Sequence, residues 1–230
     1  ILKFILKKKY GLNTCIFSID DFYKTKKERQ KMSKKIHPLF STRGVPGTHD
    51  VNLINETIKK LKNKKFKKVL IPKFDKSIDD RSNKSKWQKI KIPPHIIIFE
   101  GWCVGATHQK DSYLKKSLNI IESKYDLDFV WRKTVNNHLK KQYKKLFSNI
   151  DKLVYLKAPN FKHIFKWRLL QEQKMKLTSK NKKIMSKSQV KRFIMFYERI
   201  TRSMMKNFSK ISDLTIFLDK SHRSKKMKFY

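Results

Sequence analysis

Apolar residues in this chain come in two rhythms. Short runs, NTCIFSI (13–19), KKVLIP (67–72), IIIFE (96–100), DKLVYLKA (151–158) and LTIFLD (214–219), read as strands. Stretches with apolar positions three or four apart read as helices: 1–11, 24–36, 51–63, 111–124, 126–149, 160–176 and 186–208. Gly11 stands where a helix stop belongs after ILKFILKKKY, whose apolar stripe runs through Ile1, Phe4 and Ile5, and Ser186 is a helix start. HPLFSTRGVPGTHD (37–50) and KFDKSIDDRSNKSKWQK (73–89) read as loops, LTSKNKK (177–183) as a polar break, and KSHRSKKMKFY (220–230) as a frayed, solvated end. Strands alternating with helices predict a mainly parallel sheet covered on both faces.

IIIFEGWCVG is the most telling strand. Four apolar residues running into Glu100 and Gly101 look like a strand buried on both faces that delivers a carboxylate to the carboxyl edge of the sheet. On that stretch alone Glu100 is equally a ligand-site residue or the point where the strand meets water.

Composition adds limits. The 230 residues, 39% hydrophobic, suffice for one sizeable core, so one domain is expected. The formal charge of +40, from 58 Lys plus Arg against 18 Asp plus Glu, would attract nucleotides, phosphorylated metabolites, nucleic acid or anionic lipid. The lysines are scattered over almost every segment, whereas a dedicated nucleic-acid binder concentrates them on one face or in a tail. Cys15 and Cys103 lie in apolar runs with no CxxC partner, as buried, reduced cytosolic thiols would. No apolar stretch approaches the ~20 residues of a membrane span, and ILKFIL is too short for a signal sequence.

Three loops follow candidate parallel strands and should gather at one sheet edge: DDFY after the first, KFDKSIDDR after the second and EGW after the third. They carry Asp20, Asp21, Asp75, Lys76, Arg81 and Glu100. Phosphoryl transfer needs this mixture: a carboxylate to deprotonate or orient a hydroxyl, another to hold Mg²⁺, and cations to neutralise the moving phosphoryl group. Singly, each acid reads as a cap or loop residue, and convergence is what points to chemistry.

SIDDFY, RGVPGTHD, IPKFDKS with the DR that follows, IIIFEGWCVG, WRLLQE and MSKSQVKRFIMFY stand in the order and approximate spacing of the D-glycerate 3-kinase-like P-loop kinases. That group is related to uridine kinase, phosphoribulokinase and pantothenate kinase, and the chain resembles it from about Ile1 to about Leu218. The resemblance implies a P-loop NTPase-type three-layer α/β/α fold with a mainly parallel sheet, one domain over 1–230, and a lid segment near 168–187. It implies a cytoplasmic enzyme that uses ATP and Mg²⁺ to phosphorylate a hydroxyl of a small hydroxy acid, D-glycerate first. Another kinase of the uridine or pantothenate type, a non-catalytic relative and a basic nucleic-acid-binding protein are the other readings.

By the same resemblance, Asp20 is the general base, with Asp21 beside it as the alternative that the sequence does not separate. Glu100 orders Mg²⁺ and water, a role that suits one strand-end carboxylate because Mg²⁺ keeps several waters. RGVPGTHD is the substrate loop: Arg43 pairs with a carboxylate, and His49 and Asp50 bond hydroxyls, although Asp50 is also placed to cap the helix from Val51. Tyr23, Asp75, Lys76 and Arg81 line the same pocket. Arg168, in WRLLQE, reaches the phosphates from the lid.

One expected motif has no counterpart. No GxxxxGK[ST], whose backbone N–H groups and lysine cradle ATP phosphates, occurs in the 230 residues. In the resembling group that loop directly precedes a helix like ILKFILKKKYG. The sequence therefore reads as lacking the first strand and the phosphate loop by truncation, natural loss of ATP binding being the competing cause, and the segment alone as a poor nucleotide binder.

Overall fold

Gly11 takes φ 68°, the left-handed conformation that its place after a helix predicts. Its N–H reaches Lys7 O, and Leu12 N–H reaches Leu6 O, closing helix α1 (Leu2–Tyr10). The computed structural model describes residues 1–178 and 184–230. These gather into two units, Ile1–Val104 and Gly105–Tyr230. Residues 179–183, which fall in the expected polar break and lid segment, lie outside the described residues.

In the first unit, β1 (Thr14–Ser18) leads through a 3₁₀ turn (Ile19–Phe22) to α2 (Lys26–Lys35) and α3 (Val51–Leu61). Then come β2 (Val69–Ile71), β3 (Phe74–Asp75), β4 (Asp80–Arg81), β5 (Gln88–Ile90) and β6 (Ile96–Glu100). β1 and β6 pair in parallel from Thr14↔Ile96 to Ser18↔Glu100, which levels the two strand ends. Phe17, Ile19, Phe22, Phe40 and Ile54 form the buried centre. Each such side chain contributes about 1.5–3 kcal/mol on burial. α2 starts on a capping box, Thr25 with Glu28, and α3 on Asp50, whose carboxylate accepts Leu53 N–H.

Several expectations are corrected here. β2 pairs antiparallel with β5 and is not a parallel strand. The 73–89 segment is an ordered β3–β4 hairpin followed by β5, because its main-chain groups find each other and β2 across the turn. β6 is not buried on both faces: Ile96 to Phe99 are half-buried and Glu100 is exposed, since β6 hydrogen-bonds to β1 alone among the described residues. The α1 stripe is uncovered, with Ile1, Phe4 and Ile5 exposed.

The second unit holds α4 (Asp111–Lys115), α5 (Ile120–Tyr125), α6 (Val130–His138), a π-turn (Leu139–Tyr143), α7 (Lys144–Phe147), β7 (Val154–Lys157), α8 (Phe161–Thr178), α9 (Lys187–Asn207), β8 (Leu214–Leu218) and β9 (Ser224–Phe229). β7 and β8 are parallel, and β9 adds antiparallel to β8. Ser186 caps α9 in a capping box with Gln189, as its sequence predicts. The single helix expected over 111–124 is two, because Arg199 from α9 takes the carbonyls of Tyr113 and Lys116 and Asn119 caps α5. The frayed C-terminus is instead β9, turned by Asp219, which accepts from Ser221 and Arg223 N–H. All six β9 residues are exposed, so no alternation marks the strand.

Buried arginine–carboxylate pairs brace this unit: Arg199 with Glu122 at 2.6 Å and Arg132 with Asp126 at 2.9 Å. Both cysteines are buried free thiols, Cys15 pushed up to about 11 by burial and Cys103 pushed up further by the same cause. Neither carries thiolate chemistry at neutral pH. No helix among the described residues is long and apolar enough to cross a membrane.

Candidate active site

Gly101 decides where Glu100 stands. At φ 151° it lets the chain turn directly off β6, and a Cβ there would sit 2.3 Å from Ile19 Cγ2. That close approach puts the end of β6 against the 3₁₀ turn carrying Asp20 and Asp21. Ser18, whose hydroxyl accepts Asp20 N–H at 3.3 Å, faces Glu100 in the strand register. Glu100 is exposed and has no ion-pair partner among the described residues.

The two adjacent aspartates have different surroundings. Asp20 Oδ1 accepts the Tyr23 hydroxyl at 2.9 Å, and its Oδ2 lies 3.2 Å from Lys76 Nζ. A third of its side chain remains exposed, at 33%. Asp21 turns inward, accepting Phe74 N–H at 3.4 Å. Burial raises its pKa, opposed by hydrogen bonds from Phe74 and Ser18 and reinforced by Asp20.

The 37–50 loop is laced onto this turn by main-chain bonds, Lys24 N to Thr48 O at 2.8 Å and Asp50 N to Phe22 O at 2.7 Å. Gly44 and Gly47 supply φ 135° and 103° on the way. Tyr23 and His49 are both buried, their rings stacked at 4.5 Å, and Tyr23 meets Phe74 edge-on at 5.2 Å. Desolvation holds the His49 imidazole down at about 3, so it is neutral. Asp50, besides capping α3, takes Arg81 Nη2 at 3.2 Å, while Arg81 also donates to Tyr23 O. Arg81 Nε is buried with no hydrogen-bond partner among the described residues. Asp75 is turned back on its own loop, held below the usual carboxylate range by hydrogen bonds from the Ser77 side chain and backbone. Arg43 pairs with Asp79.

The structure thus brings Asp20, Tyr23, His49, Asp50, Lys76 and Arg81 into one network in the first unit, with Asp21 bonded to the Phe74 backbone beside it and Arg43 tied through Asp79 to Arg29. Arg168 belongs to the second unit, where α8 holds its guanidinium against Glu172 at 2.5 Å and over the Phe193 ring. Sequence reasoning missed Arg29, Phe74 and Asp79. Arg29 had a readable signal, an arginine inside a helix otherwise rich in lysine.

A hard cation fits the donors at the strand ends, a lone carboxylate beside a hydroxyl. No group of three or more His, Cys, Asp or Glu is gathered for a metal among the described residues.

No protein-family model matches the chain. Among curated proteins it is similar to an uncharacterized kinase of Schizosaccharomyces pombe, mug58, at 33% identity over 79% of the chain. It is also similar to the chloroplastic D-glycerate 3-kinase of Arabidopsis thaliana, at 29% identity over 69% of the chain. The chain spans 66% and 34% of these relatives, less than two thirds of each. Among solved structures, a D-glycerate 3-kinase from Cryptococcus neoformans superimposes with TM-score 0.83 at 24% identity, covering 100% of this chain and 84% of that one. The YGR205w protein gives TM-score 0.72 at 30% identity, covering 99% and 82%.

Proposed function

The chain belongs to the D-glycerate 3-kinase-like P-loop kinases, and from that membership we propose that the protein transfers the γ-phosphoryl group of ATP to a hydroxyl of a small hydroxy acid, D-glycerate first. The observation that carries the reading is Asp20, a carboxylate fixed by Tyr23 and Lys76 yet a third exposed, at the strand end level with Glu100.

Asp20 is the base that takes the acceptor hydroxyl proton, and Asp21, facing the backbone of β3, shapes the turn. Two hydrogen-bond donors hold Asp20 in one orientation, so little reorganisation is needed when the proton moves. Arg43 takes the acceptor carboxylate, and Arg81 Nε, a buried N–H donor with no acceptor among the described residues, donates to an acceptor oxygen. Tyr23 and Lys76 act on the acceptor through Asp20, and His49, as the neutral partner of Tyr23, keeps that hydroxyl aimed. Glu100 would hold Mg²⁺ through its carboxylate and ordered water, and the ion, when bound, neutralises charge on the ATP phosphates. Arg168 is assigned to the transferring phosphoryl group. One kinase domain spans residues 1–230, in the cytoplasm.

An acceptor screen on the full-length gene product tests this, following ADP release with D-glycerate, uridine and pantothenate. Turnover of D-glycerate alone is expected. Turnover of another acceptor without D-glycerate overturns the substrate, and calorimetric binding of D-glycerate with no ATP-dependent product assigns a non-catalytic relative.

A further inference from the structure

Arg29 heads the side chains buried to below 2% exposure when these are ranked by size among the described residues. A buried guanidinium needs every N–H placed, and this one reaches three segments that are far apart in sequence. Nη1 donates to Lys24 O at 2.6 Å, just after DDFY, and Nε to Ser41 O at 3.5 Å, two residues before Arg43. Nη2 donates both to Asp79 O at 2.8 Å and to Asp79 Oδ2 at 2.6 Å, in the turn between β3 and β4.

Asp79 stands at φ 54°, a left-handed conformation that aspartate tolerates better than most residues. Its second oxygen, Oδ1, accepts from Arg43 Nη1. The two guanidiniums also share one ring, with Arg29 and Arg43 centred 5.6 and 5.4 Å from the Phe74 centroid. A pair made for stability alone would end at Arg29. Here the same carboxylate reaches on to an arginine that is 27% exposed, in the loop assigned to the acceptor.

We propose that Asp79, backed by Arg29, is a positioning residue that sets the plane and reach of the Arg43 guanidinium for the acceptor's carboxylate. The inference deepens the acceptor reading above and rests on it for the identity of that carboxylate. A guanidinium recognises a carboxylate through two parallel N–H bonds, so its plane must be set before the ligand arrives, and one carboxylate plus one ring face define a plane. Arg29 in turn keeps Asp79 from following Arg43 when the ligand pulls on it.

The test reads Arg43 itself. Modification by phenylglyoxal, quantified by peptide mass spectrometry, is compared in the wild type and in Asp79→Asn, which removes the charge but suits the same backbone conformation. Arg223, 80% exposed, serves as internal reference. Arg43 is expected to react about tenfold faster in the variant with Arg223 unchanged, the loss of a charge-assisted bond. D-glycerate is expected to protect Arg43 in the wild type and to lose that protection in the variant. A change in melting temperature with no change in Arg43 reactivity overturns the proposal. Faster modification without D-glycerate protection in the wild type upholds the positioning role and overturns the D-glycerate reading instead. Should Asp79→Asn not fold, Asp79→Gly keeps the left-handed turn and leaves room for formate, which restores slow modification if the proposal holds and has no effect if it fails.

Discussion

Asp20 and Asp21 differ in how much of their bonding capacity the protein uses. Asp20 keeps a third of its side chain exposed beside two side-chain donors, while the half-buried Asp21 accepts from the β3 backbone. Asp20→Asn should therefore lower kcat by about 10²–10⁴-fold, and Asp21→Asn by far less, both measured by coupled ADP release with D-glycerate. Equal losses would remove the distinction. His49 makes a prediction about pH. Its folded pKa, about 3, lies below the ordinary 6.5, so the unfolded chain binds the extra proton. The stabilisation from neutral His49 is complete above the unfolded value and is lost as pH falls towards the folded one, with a limiting slope of about 1.4 kcal/mol per pH unit. Urea unfolding at stepped pH should show that slope, and His49→Gln should flatten it. An unchanged slope in the variant would place the acid sensitivity elsewhere.

At the scale of elements, contacts between remote segments decide what local pattern leaves open. Gly101 is the hinge between β6 and the turn at Ile19, and any side chain there meets a side chain packed at 0–1% exposure around it. Gly101→Ala should cost about 2–3 kcal/mol by urea unfolding, from overpacking and a backbone conformation that alanine resists. A cost under ~0.5 kcal/mol would mean the turn adjusts freely. In the second unit, Glu122 neutralises Arg199, the side chain that breaks the 111–125 region into two helices by taking their carbonyls. Removing its charge leaves a buried cation, so Glu122→Gln should cost about 3 kcal/mol. Hydrogen exchange should rise first over α4 and α5, and a uniform rise across the unit would argue against this local bracing.

For the whole molecule, self-repulsion is the dominant electrostatic fact. A net charge of +40 on 230 residues, with the lysines spread along the chain, opposes compaction at low ionic strength. The melting temperature should rise by several degrees between about 20 and 300 mM NaCl, as screening shortens the range of that repulsion to about 6 Å. A fall over that range would mean that ion pairs outweigh repulsion. Arginine is used differently from lysine. Only nine of the 58 cations are arginine, and Arg29, Arg43, Arg81, Arg132, Arg168 and Arg199 all pair with carboxylates while less than 30% exposed. A planar fork tolerates burial where a hydrated ammonium does not. In a lysine-dominated chain, arginine positions were therefore the readable trace of the buried networks.

By itself the sequence determined the order of the five strands it marks and of the helical regions between them, the helix stop at Gly11 and start at Ser186, and the three acidic loops. These follow from local backbone preference and from which face of an element is apolar, properties that a few neighbouring residues carry. Only the tertiary structure decided which partners each of two adjacent aspartates binds, that β2 runs antiparallel to β5, that 220–230 is a turn and a strand, and that Asp79 joins Arg29 to Arg43. Each depends on where an unsatisfied donor or acceptor finds its partner across tens of residues. Periodicity records nothing about such pairs, because a hydrogen bond between remote segments leaves no repeat in either of them.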